Sequence, residues 1–166
     1  MQDNIQISKA VTEDYAIIAC IYNEYIQGGG ATMDEVLKTE KDIAQWVDNF
    51  NDRERLFVLK KMNQVIGWGI IKKYSDRTGY RTTCETAVYL TAAELGKGYG
   101  TFLKKYIMQV CKDLNYRHLV AKILGGNRAS IAYNERLGYT IVGTQKEVGF
   151  RDGQWQDVVI MQYLFS

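Results

Sequence analysis

The sequence predicts a single mixed α/β domain with the element order β-α-α-β-β-β-α-β-α-β-β. Three observations carry this. A length of 166 residues suits one core rather than two. Segments of two-residue alternation interleave with segments of helical spacing. No repeat, low-complexity tract or Pro/Ser-rich linker divides the chain.

The elements follow in order. Ile5-Gln6-Ile7 alternates as a short strand. Thr12 is placed to cap a helix in which Tyr15, Ile18, Ala19, Tyr22 and Ile26 recur at helical spacing, and Gly28-Gly29-Gly30 ends it. Thr39-Glu40-Lys41-Asp42 has the capping-box form and opens a second helix through Ile43, Trp46, Val47 and Phe50. Arg55 to Lys60 and Val65 to Lys72 read as a hairpin about the polar turn Lys61-Met62-Asn63-Gln64. Tyr74 to Gly79 is a polar loop. Thr82 to Leu90, rich in Thr, Val and Tyr, is a strand. From Gly98 onward Phe102, Leu103, Tyr106, Ile107 and Val110 form the stripe of an amphipathic helix. His118 to Leu124 is a strand, and Asn127 to Leu137 a helix closed by Gly138. Tyr139 to Val148 and Trp155 to Phe165 are two last strands around Gly149-Phe150-Arg151-Asp152-Gly153.

Composition narrows the function. Twelve Tyr, five Phe and three Trp supply more buriable surface than a disordered chain carries. A net charge of +2 argues against a general nucleic-acid binder. No stretch approaches the ~20 apolar residues of a membrane helix. Met1-Gln2-Asp3-Asn4 lacks the basic and apolar regions of a signal peptide, so the expected address is the cytoplasm. Cys20, Cys84 and Cys111 show no metal spacing, and one His cannot complete a common zinc set, so no metal is expected. The lone His118 and the tryptophans Trp46, Trp68 and Trp155 are read as packing or interface residues.

The segment with the most chemistry is Val88-Tyr89-Leu90, a short loop, and then Leu95-Gly96-Lys97-Gly98-Tyr99-Gly100-Thr101. A strand runs into a glycine-rich helix start, where N–H groups lack internal partners and the helix dipole is positive. A phosphate or pyrophosphate is the natural guest. The glycine spacing fits neither the dinucleotide fingerprint nor the P-loop.

With Gly98 and Gly100 in its last fixed positions, this segment resembles the acyl-CoA signature Gln/Arg-x-x-Gly-x-Gly/Ala of the GNAT acyltransferase superfamily, with Leu95 departing at the first position. Asn127-Arg128-Ala129-Ser130 through Tyr133-Asn134 to Gly138-Tyr139 resembles the superfamily stretch that lies along CoA. Across nearly the whole chain the sequence is similar to the phosphinothricin/methionine-sulfoximine branch of amino-acid N-acetyltransferases, on Ile21-Tyr22-Asn23, Tyr80 to Glu85, Val142-Gly143-Thr144, Glu147-Val148-Gly149 and Gly153 to Gln162.

The resemblance implies a mixed, mostly antiparallel sheet flanked by helices, acetyl-CoA as co-substrate, a small amine acceptor, direct transfer in a ternary complex and a homodimer. It places CoA against Val88, Tyr89, Leu90, Gly96, Lys97, Gly98, Tyr99, Gly100, Thr101, Asn127, Ser130 and Asn134. It makes Glu85 the general base, which an amine acceptor needs because it is mostly ammonium at pH 7. It places the acceptor against Met33, Asp34, Arg77 and Arg81, with Arg151 where the branch usually has Lys. Many superfamily members have a proton-donating Tyr at the position of Asn134, which cannot serve so, and the adjacent Tyr133 points ~100° away around the helix. Two rival readings are acetylation of a protein N-terminus or another metabolite amine, and a non-catalytic CoA-binding module.

Overall fold

The structure, a computed structural model, describes residues 4–166. Met1, Gln2 and Asp3, most of the segment read above for targeting, lie outside the described residues. Seven strands form one sheet: β1 (Ile5–Lys9), β2 (Arg55–Lys61), β3 (Gln64–Lys73), β4 (Thr83–Leu90), β5 (His118–Leu124), β6 (Thr140–Arg151) and β7 (Gln154–Leu164). Their spatial order is β1-β2-β3-β4-β5-β7-β6. Every neighbouring pair is antiparallel except β4 and β5. Four helices cover the faces: α1 (Tyr15–Gly28), α2 (Glu40–Asp48), α3 (Tyr99–Asp113) and α4 (Arg128–Arg136).

The alternation of each strand feeds two cores. Leu56, Val58, Trp68 and Ile70 pack with Ile18, Tyr22 and Ile43 under α1 and α2. Phe57, Leu59, Ile71, Cys84, Leu119 and Met161 pack with Leu103 and Ile107 under α3. Cys84 is therefore buried beside Cys111, their sulfurs 3.7 Å apart, on the face of β4 opposite Glu85.

Several boundaries differ from expectation for local reasons. Thr12 begins a 3-10 turn rather than capping α1, and the carboxylate of Asp14 accepts the Val11 N–H at 2.9 Å. Thr39 does cap α2, its hydroxyl accepting from the Asp42 N–H while Asp42 accepts from the Thr39 N–H. The helix ends at Asp48, before Phe50. Asn127 is the cap of α4, its Oδ1 accepting from the Ser130 N–H at 3.2 Å, rather than its first residue. The last hairpin has no five-residue loop: Gly149-Phe150-Arg151 continues β6, and Asp152 and Gly153, both at positive φ, make a two-residue turn. The same turn form, Met62-Asn63, joins β2 to β3.

Candidate active site

The parallel pair β4–β5 is the opening of the molecule. Its pairing covers just Thr83↔His118, Cys84↔Leu119 and Glu85↔Val120 among the described residues. Beyond Glu85 the two strands part, while β4 stays in unbroken register with β3 to Leu90. The carbonyls of Ala87 and Tyr89 lie over the β3 glycines. By alternation the backbone N–H groups of Thr86 and Val88 point into the wedge between β4 and β5.

A cavity of about 560 Å³ fills this wedge and runs to the start of α3. Of the residues predicted to meet CoA, Val88, Tyr89, Leu90, Gly96, Gly98, Gly100, Thr101, Asn127, Ser130 and Asn134 line it. Lys97 and Tyr99 do not. The Lys97 ammonium pairs with Glu94 at 3.3 Å, and the Tyr99 ring packs toward the α3 core under the Lys61 ammonium. Gly98 caps α3 at φ +87° with open space around it, a conformation that leaves the first N–H groups of the helix bare. The Leu90 N–H and carbonyl are both held by the Tyr25 hydroxyl, at 3.2 and 2.6 Å, so among the wedge-facing groups of β4 Leu90 is already satisfied.

A second, larger cavity of about 950 Å³ lies on the other face of β4. Glu85, Met33 and Asp34 line it, as the sequence predicts. The two oxygens of Glu85 face ammonium groups, Lys122 at 3.4 Å and Lys72 at 3.9 Å. Asp34 is held by the Tyr22 hydroxyl and lies 3.6 Å from Lys38. Desolvation, with help from Tyr89 and Asp34, pushes the Tyr22 phenol far above its ordinary pKa, so it donates to Asp34 as a neutral hydroxyl.

Arg77 and Arg81 are not brought to this cavity. Both are exposed in the β3–β4 loop, and the Arg81 guanidinium donates to the Thr78 carbonyl at 3.1 Å. From that loop it is Tyr74 and Tyr80 that face the cavity. Arg151, by contrast, is buried. It is 5% exposed, and its guanidinium donates to the carbonyls of Thr32 and Ile26. It ties the tip of the β6–β7 hairpin to the segment after α1. Gly149 lies against the Met33 side chain, whose terminal methyl would have to shift to admit a Cβ there.

Sequence reasoning missed Lys72, Lys122 and Tyr22, and it read His118 as structural although it stands on the cavity wall. For the two lysines the only signal is strand parity: Lys72, Glu85, Val120 and Lys122 share a face once the β3-β4-β5 register is known. The two cavities share Ala31, Thr86, Ala87, Tyr89 and Lys122. They meet at β4, directly after Glu85.

Residues 7–160 match the acetyltransferase (GNAT) domain family. The chain is similar to the L-methionine sulfoximine/L-methionine sulfone acetyltransferase of Pseudomonas aeruginosa, 30% identical over 161 residues that cover 94% of this chain and 92% of that protein. It superposes with a TM-score of 0.91 on a phosphinothricin acetyltransferase from Sinorhizobium meliloti solved with acetyl-CoA, 30% identical and covering 98% of this chain and 89% of the other. A ribosomal-protein-alanine N-acetyltransferase from Brucella melitensis superposes with a TM-score of 0.92 at 29% identity, covering 96% and 99%.

Proposed function

Because the chain belongs to the acetyltransferase (GNAT) family, we propose that it moves an acetyl group from acetyl-CoA to the amine of a small amino acid or amino-acid analogue, of the phosphinothricin or methionine sulfoximine kind. The observation that carries this reading is the junction on β4: a wedge fit for a thioester arm meets an acceptor cavity beside the carboxylate of Glu85. The glycine-rich start of α3 suits the pyrophosphate of CoA, with Gly98 leaving room for backbone donors to approach it. The parted edge of β4 suits the amide-bearing arm, since the Thr86 and Val88 N–H groups face the wedge.

The acceptor is selected by charge. A zwitterionic amino acid carries an ammonium and a carboxylate a few bonds apart. The Glu85 carboxylate, flanked by Lys72 and Lys122, offers the complementary pair in one cluster. Glu85 takes the proton from the acceptor ammonium, directly or through water, and the amine attacks the thioester carbonyl carbon. The Val88 N–H, aimed into the wedge, stabilises the oxygen on which negative charge builds. The adduct nitrogen gives up its second proton, the C–S bond breaks and the thiolate departs. Transfer is direct, because the buried Cys84 faces away from the junction.

The protein works in the cytoplasm, where its three free thiols would stay reduced. It pairs with a second copy through the β6 edge of the sheet, which exposes Ile141, Val142, Val148 and Phe150, with Trp155 across from Phe150. The test of function is a screen of acceptors by CoA-thiol release. Methionine sulfoximine, phosphinothricin and unmodified amino acids are expected to turn over, and peptides are not. The likeness to the ribosomal-protein-alanine enzyme supports a second reading, and preference for a peptide with an N-terminal alanine would establish it. Tight acetyl-CoA binding without release for any amine would reduce the protein to a binding module.

A further inference from the structure

A departing CoA thiolate must gain a proton, and the wedge offers few sources. Asn134 lines it with a buried Oδ1 that has no partner among the described residues, but an amide has no proton to give at neutral pH. The neighbouring Tyr133 hydroxyl is committed to the Gly100 carbonyl at 2.7 Å, and burial raises its pKa well above the usual phenol range. Tyr25 is committed to Leu90, and Lys122 is engaged on the acceptor side, with Glu85 and the acceptor's carboxylate.

Lys104 remains. It is a lysine of α3 only 3% exposed, and no carboxylate is within ion-pair distance of its ammonium among the described residues. Its Nζ donates to the Thr86 hydroxyl at 2.8 Å and lies 5.0 Å from the Tyr139 ring centre, and the Tyr139 and Thr86 hydroxyls are 3.2 Å apart. Thr86 belongs to both cavities, at the point where they meet. A buried lysine kept in this position without an acid partner is costly to fold, which makes a role in the site a better account of it than packing.

We propose that Lys104 supplies the proton that the departing CoA thiolate takes up, relayed by the Thr86 hydroxyl. As the C–S bond breaks, its electron pair stays on sulfur. Thr86 gives its hydroxyl proton to that sulfur and receives one from the Lys104 ammonium. Lys104 is left as a neutral amine and regains a proton from water when the products leave. The acceptor nitrogen loses two protons in turn, Glu85 passing the first to solvent before it takes the second; Lys104 recovers one from solvent, so the overall reaction yields amide, thiol and one proton.

The groups around Lys104 tune it. Desolvation lowers its pKa to about 8, opposed by the Glu85 carboxylate on β4, while the thiols of Cys111 on its own helix and Cys84 on β4 also face it. Tyr139 faces it as a neutral phenol, its pKa raised mainly by burial. Lys104 is thus mostly charged at pH 7 and loses its proton as the pH rises through about 8.

This inference rests on acetyl transfer in the wedge, so the test begins with wild-type turnover. The profile of kcat against pH should show an alkaline fall near pH 8 that belongs to Lys104. Lys104→Met should lower kcat at pH 7 by ~10- to 100-fold and abolish that fall, with calorimetric acetyl-CoA affinity unchanged. Thr86→Val, which keeps Lys104 but removes the relay, should do the same, and Lys104→Arg should move the fall to higher pH. A wild type with no turnover on any acceptor overturns both the proposed function and this inference. A working wild type whose alkaline fall survives in Lys104→Met and in Thr86→Val overturns the inference alone. So does mass spectrometry that finds Lys104 itself acetylated during turnover, since it is then an acceptor.

Discussion

The wedge beside β4 and the cavity on its other face are built by different means. The wedge is made largely of backbone: the open edge of one strand, a glycine at positive φ and the bare start of one helix, all within the stretch from Thr86 to Thr101 and completed by α4. The acceptor cavity is made of side chains that arrive from many elements. Tyr22 comes from α1, Lys72 from β3, Glu85 from β4, Lys122 from β5 and Val148 from β6. A site of backbone binds a part common to many reactions, while a site of assembled side chains is where an acceptor is chosen. Substitutions in the two regions should therefore separate cleanly in kinetics.

The largest effect is expected where the regions meet. Glu85→Gln keeps size and polarity but removes proton acceptance. At pH 7 kcat should fall by ~10²–10⁴ with acetyl-CoA affinity hardly changed. Raising the pH should partly rescue the variant, because more acceptor arrives already deprotonated. A variant within threefold of wild type at pH 7 would show that the amine loses its proton elsewhere.

Gly98→Val sharpens the comparison from the wedge side. The space around Gly98 is open, so the cost is not a clash with protein. A β-branched residue at φ +87° is strained, and its side chain occupies the approach to the helix N-terminus. Acetyl-CoA Kd should rise more than tenfold, ~1.4 kcal/mol or more, while the acceptor KM stays near wild type. Unchanged calorimetric affinity in a folded variant would remove the α3 start from the CoA site.

The same division explains what the sequence makes legible. Among the described residues the eleven α-helices and strands are readable, because each rests on local spacing, a cap or a turn: Thr39 with Asp42, or Met62-Asn63 between alternating strands. The glycine-rich start of α3 is equally local, and most of the residues expected along the wedge do line it. The acceptor cavity is less legible because its geometry is set by register across three strands and by one long-range tie. Nothing near Arg151 in sequence says that its guanidinium is buried against the carbonyls of Ile26 and Thr32. Nothing near Lys122 says that it faces Glu85, since that requires the short parallel pairing of β4 with β5. Lys104 looks like one charge on an amphipathic helix, and only the position of Thr86 across from it shows otherwise.

The smallest effect is expected from the charges that select the acceptor, and it bears mainly on the acceptor cavity. Lys122 is half exposed and lies 3.4 Å from Glu85, so its interaction with a bound carboxylate is partly screened. Lys122→Met should raise the KM for an amino acid by about three- to tenfold, a loss of ~0.6–1.4 kcal/mol of ground-state binding. The KM of the matching amine without a carboxylate should change little, and because Lys122 also borders the wedge, the acetyl-CoA Kd is measured beside it to separate the two effects. Arg77→Ala is the paired measurement, because the exposed loop arginine stands outside the cavity that Lys122 lines. If Arg77→Ala raises the amino-acid KM and Lys122→Met does not, the carboxylate is held by the β3–β4 loop folding over its substrate. The lysines then serve only to hold Glu85 in place. If Lys122→Met alone acts, the charge cluster on the sheet is what distinguishes a zwitterion from a simple amine.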